Sequence, residues 1–163
     1  MKRDDLIQNF ISKLENFLTQ ENFSIHKIYK DKLISEINDA DINLIPNSNT
    51  FNVSPSLSVI IKKNDKFHLI IANIQMKNLS LKNIGEFNIF CKVVQPKYAF
   101  LITYGSYSSE ILPILSDSFI LNKLQSYKTG QFVMMSIDVK NNTINKESIL
   151  PFSRRGVLHD KLS

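Results

Sequence analysis

One cysteine, three histidines, three arginines and no long apolar run are what this chain of 163 residues conspicuously has little of. A lone Cys91 forms no disulfide within the chain, and His26, His68 and His159 lack the spacing of a zinc site, so a disulfide framework and a zinc module are both excluded as the basis of the fold. Cys91 reads as a small core residue on an apolar helix face. No segment approaches the roughly 20 apolar residues that span a bilayer, so no membrane partner is expected. The start Met1-Lys2-Arg3-Asp4-Asp5 puts acids where a signal peptide would begin its apolar run, which makes a cytoplasmic, intracellular location the expectation. Repeats and low-complexity linkers are missing too. Of the 20 basic residues only Arg3, Arg154 and Arg155 are arginines. A lysine-dominated set favours diffuse attraction to phosphate over bidentate reading of base edges.

What is present is a globular composition, 43% hydrophobic and 21% charged, with a net charge of +5. The length fits a single domain with a two-layer or three-layer core. The lysines either solvate the surface or attract a polyanion, and charge alone does not separate these. Leu6, Ile7, Phe10, Ile11, Leu14, Phe17 and Leu18 recur at three-to-four spacing behind Asp4 or Asp5 as N-cap, which predicts a first helix with one apolar stripe. A first strand is expected near 23–36, followed by turns at Asn38-Asp39-Ala40-Asp41 and Pro46-Asn47-Ser48-Asn49. Residues 58–63 and 67–71 flank Asn64-Asp65-Lys66 and predict a β-hairpin whose second strand is central. Ser80 caps a helix carrying Leu81, Ile84, Phe87, Phe90, Cys91 and Val94, which ends before Pro96. Lys97–Thr103 reads as a buried strand parallel to its predecessor. A helix burying Ile111, Leu115, Phe119 and Leu124 is expected to reach Gln125, with Pro113 obscuring its start, and a last strand spans 131–139. From 140 onward the chain reads as a polar turn and a loosely attached tail.

The order α-β-β-β-α-β-α-β, with Pro55-Ser56 entering the hairpin and Gln75-Met76-Lys77 leaving it, resembles the PD-(D/E)xK, or restriction-endonuclease-like, nuclease superfamily over roughly residues 5–138. The resemblance implies an α/β fold with a mixed central sheet of about five strands flanked by helices. It places a nuclease-like domain at 1–140 and a C-terminal tail, packed on it or trailing from it, at 141–163. In that family an acid after the proline and an acid two residues before the lysine hold Mg²⁺ over a scissile phosphate. Here those positions are Ser56 and Gln75, and the Gln-x-x-x-Tyr of one branch corresponds to Glu86 and Phe90. Glutamine before the lysine also occurs in the methyl-directed restriction branch.

What survives by resemblance is Lys77, to orient a water or stabilise phosphoryl charge, and the backbone carbonyl of Met76 as a metal ligand. Two functions follow as expectations. One is a catalytically degenerate nuclease-fold protein, without cofactor, that binds DNA through Lys77 and neighbouring lysines, with Lys62, Lys63, Lys82, Arg154 and Arg155 as further phosphate contacts. The other is a working Mg²⁺- or Mn²⁺-dependent endonuclease in which Glu86 or Glu36 replaces the missing aspartate. A subunit that binds a protein partner and no nucleic acid is the third, and a homodimer is compatible with each. The plain alternatives are solvated surface acids for Glu86 and Glu36, a strand-end lysine reaching to water for Lys77, and solubilising charge for Arg154 and Arg155. Tyr104, Ser106 and Tyr107 follow a strand's carboxyl end, where α/β sheets often bind ligands, or form a plain loop.

Overall fold

In the computed structural model, which describes residues 2–37 and 53–163, the first apolar stripe becomes α1 (Arg3–Gln20) and all seven of its predicted core residues are buried. The helix starts one turn earlier than the acids suggest. Lys2 is the N-cap, and the Asp5 carboxylate accepts its backbone N–H at 3.0 Å. β1 (Ser24–Lys30) is shorter than the strand expected over 23–36, because Asp31 turns into the left-handed region at φ 50° and Ile34–Ile37 then forms a short helix, α2. The turns expected between 38 and 49 lie outside the described residues.

The hairpin is β2 (Leu57–Lys63) and β3 (Lys66–Gln75). Its connection is two residues rather than three: Asn64 and Asp65 both take positive φ, 49° and 59°, which matches the strand twist in a type I′ turn and suits short polar side chains. α3 (Leu81–Val94) begins at the Ser80 cap, whose hydroxyl accepts the Asn83 N–H, and ends with Gln95 in a left-handed C-cap before Pro96. β4 (Tyr98–Thr103) then runs parallel to β3. The helix expected to reach Gln125 is broken in two, α4 (Leu112–Ser116) and α5 (Ser118–Gln125), because Asp117 leaves helical backbone to cap the second with hydrogen bonds from Phe119 and Ile120. The break shifts the helical phase, so Phe119 is 67% exposed rather than buried, while Ile111 and Leu115 are core residues.

A small β-ribbon, β5 (Ser126–Tyr127) and β6 (Gly130–Gln131), leads into β7 (Val133–Asp138) and the two-residue β8 (Thr143–Ile144). After 140 the chain carries two 3₁₀ turns and α6 (Arg155–Leu162). Leu158 and Leu162 of that helix are buried in the same core as α1.

The result is a mixed α/β architecture around a six-stranded sheet of order β1-β2-β3-β4-β7-β8. One more strand joins it than the expected five. β1, β2 and β3 form an antiparallel meander, β3, β4 and β7 are parallel, and β8 is an antiparallel edge. Alternation along the strands divides two cores. Val59, Ile61, Ile70, Ala72, Phe100 and Val133 pack with α1 and α6, whereas Ile60, Leu69, Ile71 and Leu101 pack with α3 to α5. Each fully buried aliphatic or aromatic side chain adds about 1.5–3 kcal/mol. No helix among the described residues is long and apolar enough to cross a membrane.

Candidate functional site

The candidate residues fall at two ends of the sheet. The first holds the start of β2 and the exit of β3, which the antiparallel register of Leu57 with Ala72 brings side by side. Ser56 is 1% exposed and its hydroxyl is saturated. It accepts the Ile74 N–H at 2.9 Å and the Arg3 Nη2 at 3.0 Å, and donates to Asn73 Oδ1 at 3.1 Å. Arg3 in turn grips Asp31 with two hydrogen bonds, Nη1 to Oδ2 at 2.6 Å and Nη2 to Oδ1 at 2.7 Å. The Asp31 hydrogen bond, reinforced by its charge, raises the guanidinium further above its ordinary value against partial burial. The Asp31 N–H also reaches the Ser56 carbonyl at 3.2 Å. Residues of α1 and β3 therefore meet at the hydroxyl of the residue that precedes β2, and Asp31, just after β1, holds its carbonyl.

Gln75 ends β3 half-buried, and its carbonyl accepts the Tyr104 N–H at 2.9 Å. Met76 and Lys77 follow in an exposed bend. The Lys77 carbonyl accepts the Thr103 hydroxyl at 2.7 Å, and its ammonium pairs with no carboxylate among the described residues. Gly105 is required here by space: a Cβ would lie 2.6 Å from Asn78 Oδ1 and 2.9 Å from the Asn78 nitrogen. Asn78 Oδ1 accepts the Ser106 N–H, while the Leu79 N–H donates to the Ser106 carbonyl, fastening the β3–α3 corner to the exit of β4. Tyr104 donates to the Leu6 carbonyl at 3.1 Å and Tyr107 to the Ser148 carbonyl at 2.5 Å, so both phenols lock the loop to its surroundings. Burial pushes Tyr104 up to about 12.

The candidate acids are not gathered around Ser56. Glu86 is on the exposed side of α3, paired with Lys82 at 3.8 Å with both side chains largely in water. Glu36 accepts the Leu33 N–H at 3.2 Å within its own short helix. Phe90 is core, packed against Phe87. Among the described residues no three His, Cys, Asp or Glu side chains are arranged to hold a metal ion. A neutral, saturated hydroxyl beneath a guanidinium, with an amide at the second position, does not fit a hard divalent cation that needs carboxylate oxygens.

Beside Pro55 and Asn73 runs a groove of about 390 Å³ lined by Val53, Phe87, Ile89, Phe90 and Val93, with Glu86 its single charged residue. Its chemistry is apolar.

The second end is the hairpin tip, about 30 Å away along the ten residues of β3. Lys62 and Lys63 sit there and not beside Lys77. Lys62 pairs with Asp65 at 2.8 Å, and Lys63 donates to the Glu21 carbonyl at 2.7 Å while lying 4.8 Å over the Phe23 ring. His68 faces the same region. Desolvation lowers its pKa, and Lys97, Lys66 and Lys63 lower it further, which marks a convergence of lysines. Arg154 and Arg155 diverge: Arg155 is spent on Glu147 at 2.6 Å, whereas Arg154 lines a cavity near β4's start.

Arg3, Asp31 and Asn73 were not among the residues singled out from sequence. Arg3 was visible as one of only three arginines, and Asn73 as the polar residue two before Gln75 on the same strand face. The Asp31 partnership spans 28 positions and left no local signal. No family model, curated protein or solved structure matches this chain.

Proposed function

We propose that this chain is a catalytically silent protein of restriction-endonuclease-like, PD-(D/E)xK architecture that binds DNA along its phosphate backbone. Support for the architecture comes from an order that reduces to α-β-β-β-α-β-α-β when the short α2 and the β5–β6 ribbon are set aside and α4 and α5 are taken together, the antiparallel β1-β2-β3 meander, the parallel β3-β4-β7 set and the adjacency of Pro55-Ser56 to the exit of β3. The observation that carries the silent reading is Ser56. At the position where the family's metal-binding aspartate would stand is a hydroxyl already engaged by Ile74, Asn73 and the Arg3 guanidinium.

Phosphate binding is supported by lysines at both ends of the sheet, exposed Lys77 at the β3 exit, and exposed Lys66 and Lys97 with half-buried Lys62 and Lys63 around the hairpin tip. The hairpin end carries the denser set. Titration of single-stranded, duplex and branched DNA at low and moderate salt tests this. Affinity should fall steeply with salt, and Lys63→Gln with Lys97→Gln should flatten that slope more than Lys77→Ala. Absence of binding to all three DNA forms at low salt would sink the reading.

A second reading, a subunit that docks a protein partner, is favoured by one observation: the groove beside Pro55 is apolar, and Ile89 and Val93 on its rim are exposed. Under that reading DNA affinity is negligible and Ile89→Glu abolishes partner binding.

A further inference from the structure

The cavity at the amino end of β4 shares Lys97 with the hairpin-end lysines of the DNA reading, but the rest of its lining is used by neither reading. It measures about 350 Å³ and lies between the end of α1, the start of β4, the β5–β6 ribbon and the start of α6. Phe17, Phe100 and Leu158 give it an apolar floor. Lys97, Tyr98, Tyr127 and Arg154 are at its polar wall.

The three arginines of the chain are used differently. Arg3 is held by Asp31 and Arg155 by Glu147, but the Arg154 side chain donates to no described residue and pairs with no described carboxylate. Lys97 likewise has no carboxylate partner among the described residues; its ammonium lies 5.9 Å over the Tyr98 ring. The single acid of the wall, Glu21, is already neutralised by Lys161. Two uncompensated cations therefore face one partly enclosed, apolar-floored space.

The tyrosines complete it. Neither the Tyr98 nor the Tyr127 hydroxyl donates to a described residue, leaving two O–H groups unassigned on residues that line the same cavity as Arg154. Burial pushes both phenols up, Glu21 adds to this at Tyr98 and Cys91 at Tyr127, and the Arg154 charge pulls each back. A lone phosphate would engage the cations and leave the floor wet; a purely apolar ligand would bury the cations unpaired.

We propose that this cavity binds a small phosphate monoester carrying an apolar or aromatic body, the chemistry shared by a free mononucleotide and the phosphorylated end of a nucleic-acid strand. Arg154 and Lys97 take the phosphate, the tyrosine hydroxyls donate to its oxygens, and the body lies on Phe17, Phe100 and Leu158. The volume is at the small end of the roughly 300–1,000 Å³ of ligand pockets, which limits the occupant to one nucleotide or less. The site is remote from Ser56 and Lys77 and shares Lys97 with the hairpin-end DNA surface, so Arg154→Gln, which lies outside that DNA set, separates failure of this site from failure of the DNA reading.

Isothermal titration calorimetry on the full chain tests it with five probes: inorganic phosphate, a nucleoside 5′-monophosphate, the unphosphorylated nucleoside, and a short oligonucleotide with and without a 5′-phosphate. The expected result is one-to-one binding of the monophosphate, weaker binding of phosphate and of nucleoside alone, and a loss of about tenfold or more in Arg154→Gln and in Lys97→Gln, the scale of one charge-assisted contact. Lys123→Gln removes the same charge from the outer face of α5 and should leave affinity unchanged. Preference for the mononucleotide identifies a free nucleotide as occupant, and preference for the 5′-phosphorylated oligonucleotide identifies a strand end. Two results overturn the proposal: no heat with the monophosphate or the 5′-phosphorylated oligonucleotide at millimolar concentration, or equal weakening in Lys123→Gln and Arg154→Gln. Because Arg154 holds no described partner, Arg154→Gln should keep the wild-type melting temperature, so loss of binding is not loss of fold.

Discussion

At Ser56 one hydroxyl does the work of a joint rather than of a ligand. Ser56→Ala removes the acceptor of the buried Ile74 N–H and should cost about 1–3 kcal/mol in urea unfolding. Arg3→Ala breaks a better-looking contact, two short hydrogen bonds to Asp31, yet both side chains are more than a third exposed, so its cost should stay below about 1 kcal/mol. Measured order of the two variants decides which effect wins; a larger loss in Arg3→Ala would show that the ion pair, not the hydroxyl, holds the corner. Gly105→Ala should cost about 1–3 kcal/mol, since its methyl would meet both the Asn78 side chain and backbone. The motif positions were legible from sequence because they are local: Pro55-Ser56 and Gln75-Met76-Lys77 each lie within a few residues. The surroundings of Ser56 were not, because Arg3 reaches it across 53 positions and only the packing of α1 against the sheet brings them together.

Among the elements, periodicity told truly wherever one face of a regular segment was buried. α1 kept its whole stripe and α3 all of its stripe but Leu81, which is 43% exposed in the first turn, and the hairpin formed where two apolar runs flanked short polar residues. The helix before Gln125 misled because its spacing continues through Asp117, a residue whose side chain serves better as a cap than as a helical interior position. Asp65→Gly should raise the urea midpoint, since glycine takes the positive φ of a type I′ turn without strain and the lost Lys62 contact is fully in water. The hairpin end also carries a pH signature. His68 has a folded pKa below its ordinary 6.5. Between the two pKa values the unfolded chain binds more protons, so this residue's contribution makes stability rise with pH up to about 6.5 and adds no slope above it. His68→Gln should flatten the melting-temperature profile below about pH 6.5; an unchanged slope would contradict the lysine-crowded setting assigned to it.

For the whole molecule, charge and chemistry are divided between the ends of one sheet. The Ser56 end joins a guanidinium, a saturated hydroxyl and an apolar groove, while the hairpin end gathers lysines, Arg154 and a cavity. From sequence the basic residues formed one set around Lys77; the length of β2 and β3 separates Lys62 and Lys63 from it, a distance no motif spacing conveys. On the proposed reading, fold and reaction part company: a mixed α/β sheet brings Pro55-Ser56 beside the exit of β3, and among the described residues no carboxylate cluster there is arranged to hold a divalent cation. Incubating supercoiled plasmid with the protein in Mn²⁺ over a range of concentrations tests that claim most directly. The plasmid should stay supercoiled in wild type and in Lys77→Ala alike; nicking that requires Mn²⁺ and disappears in Lys77→Ala would contradict it.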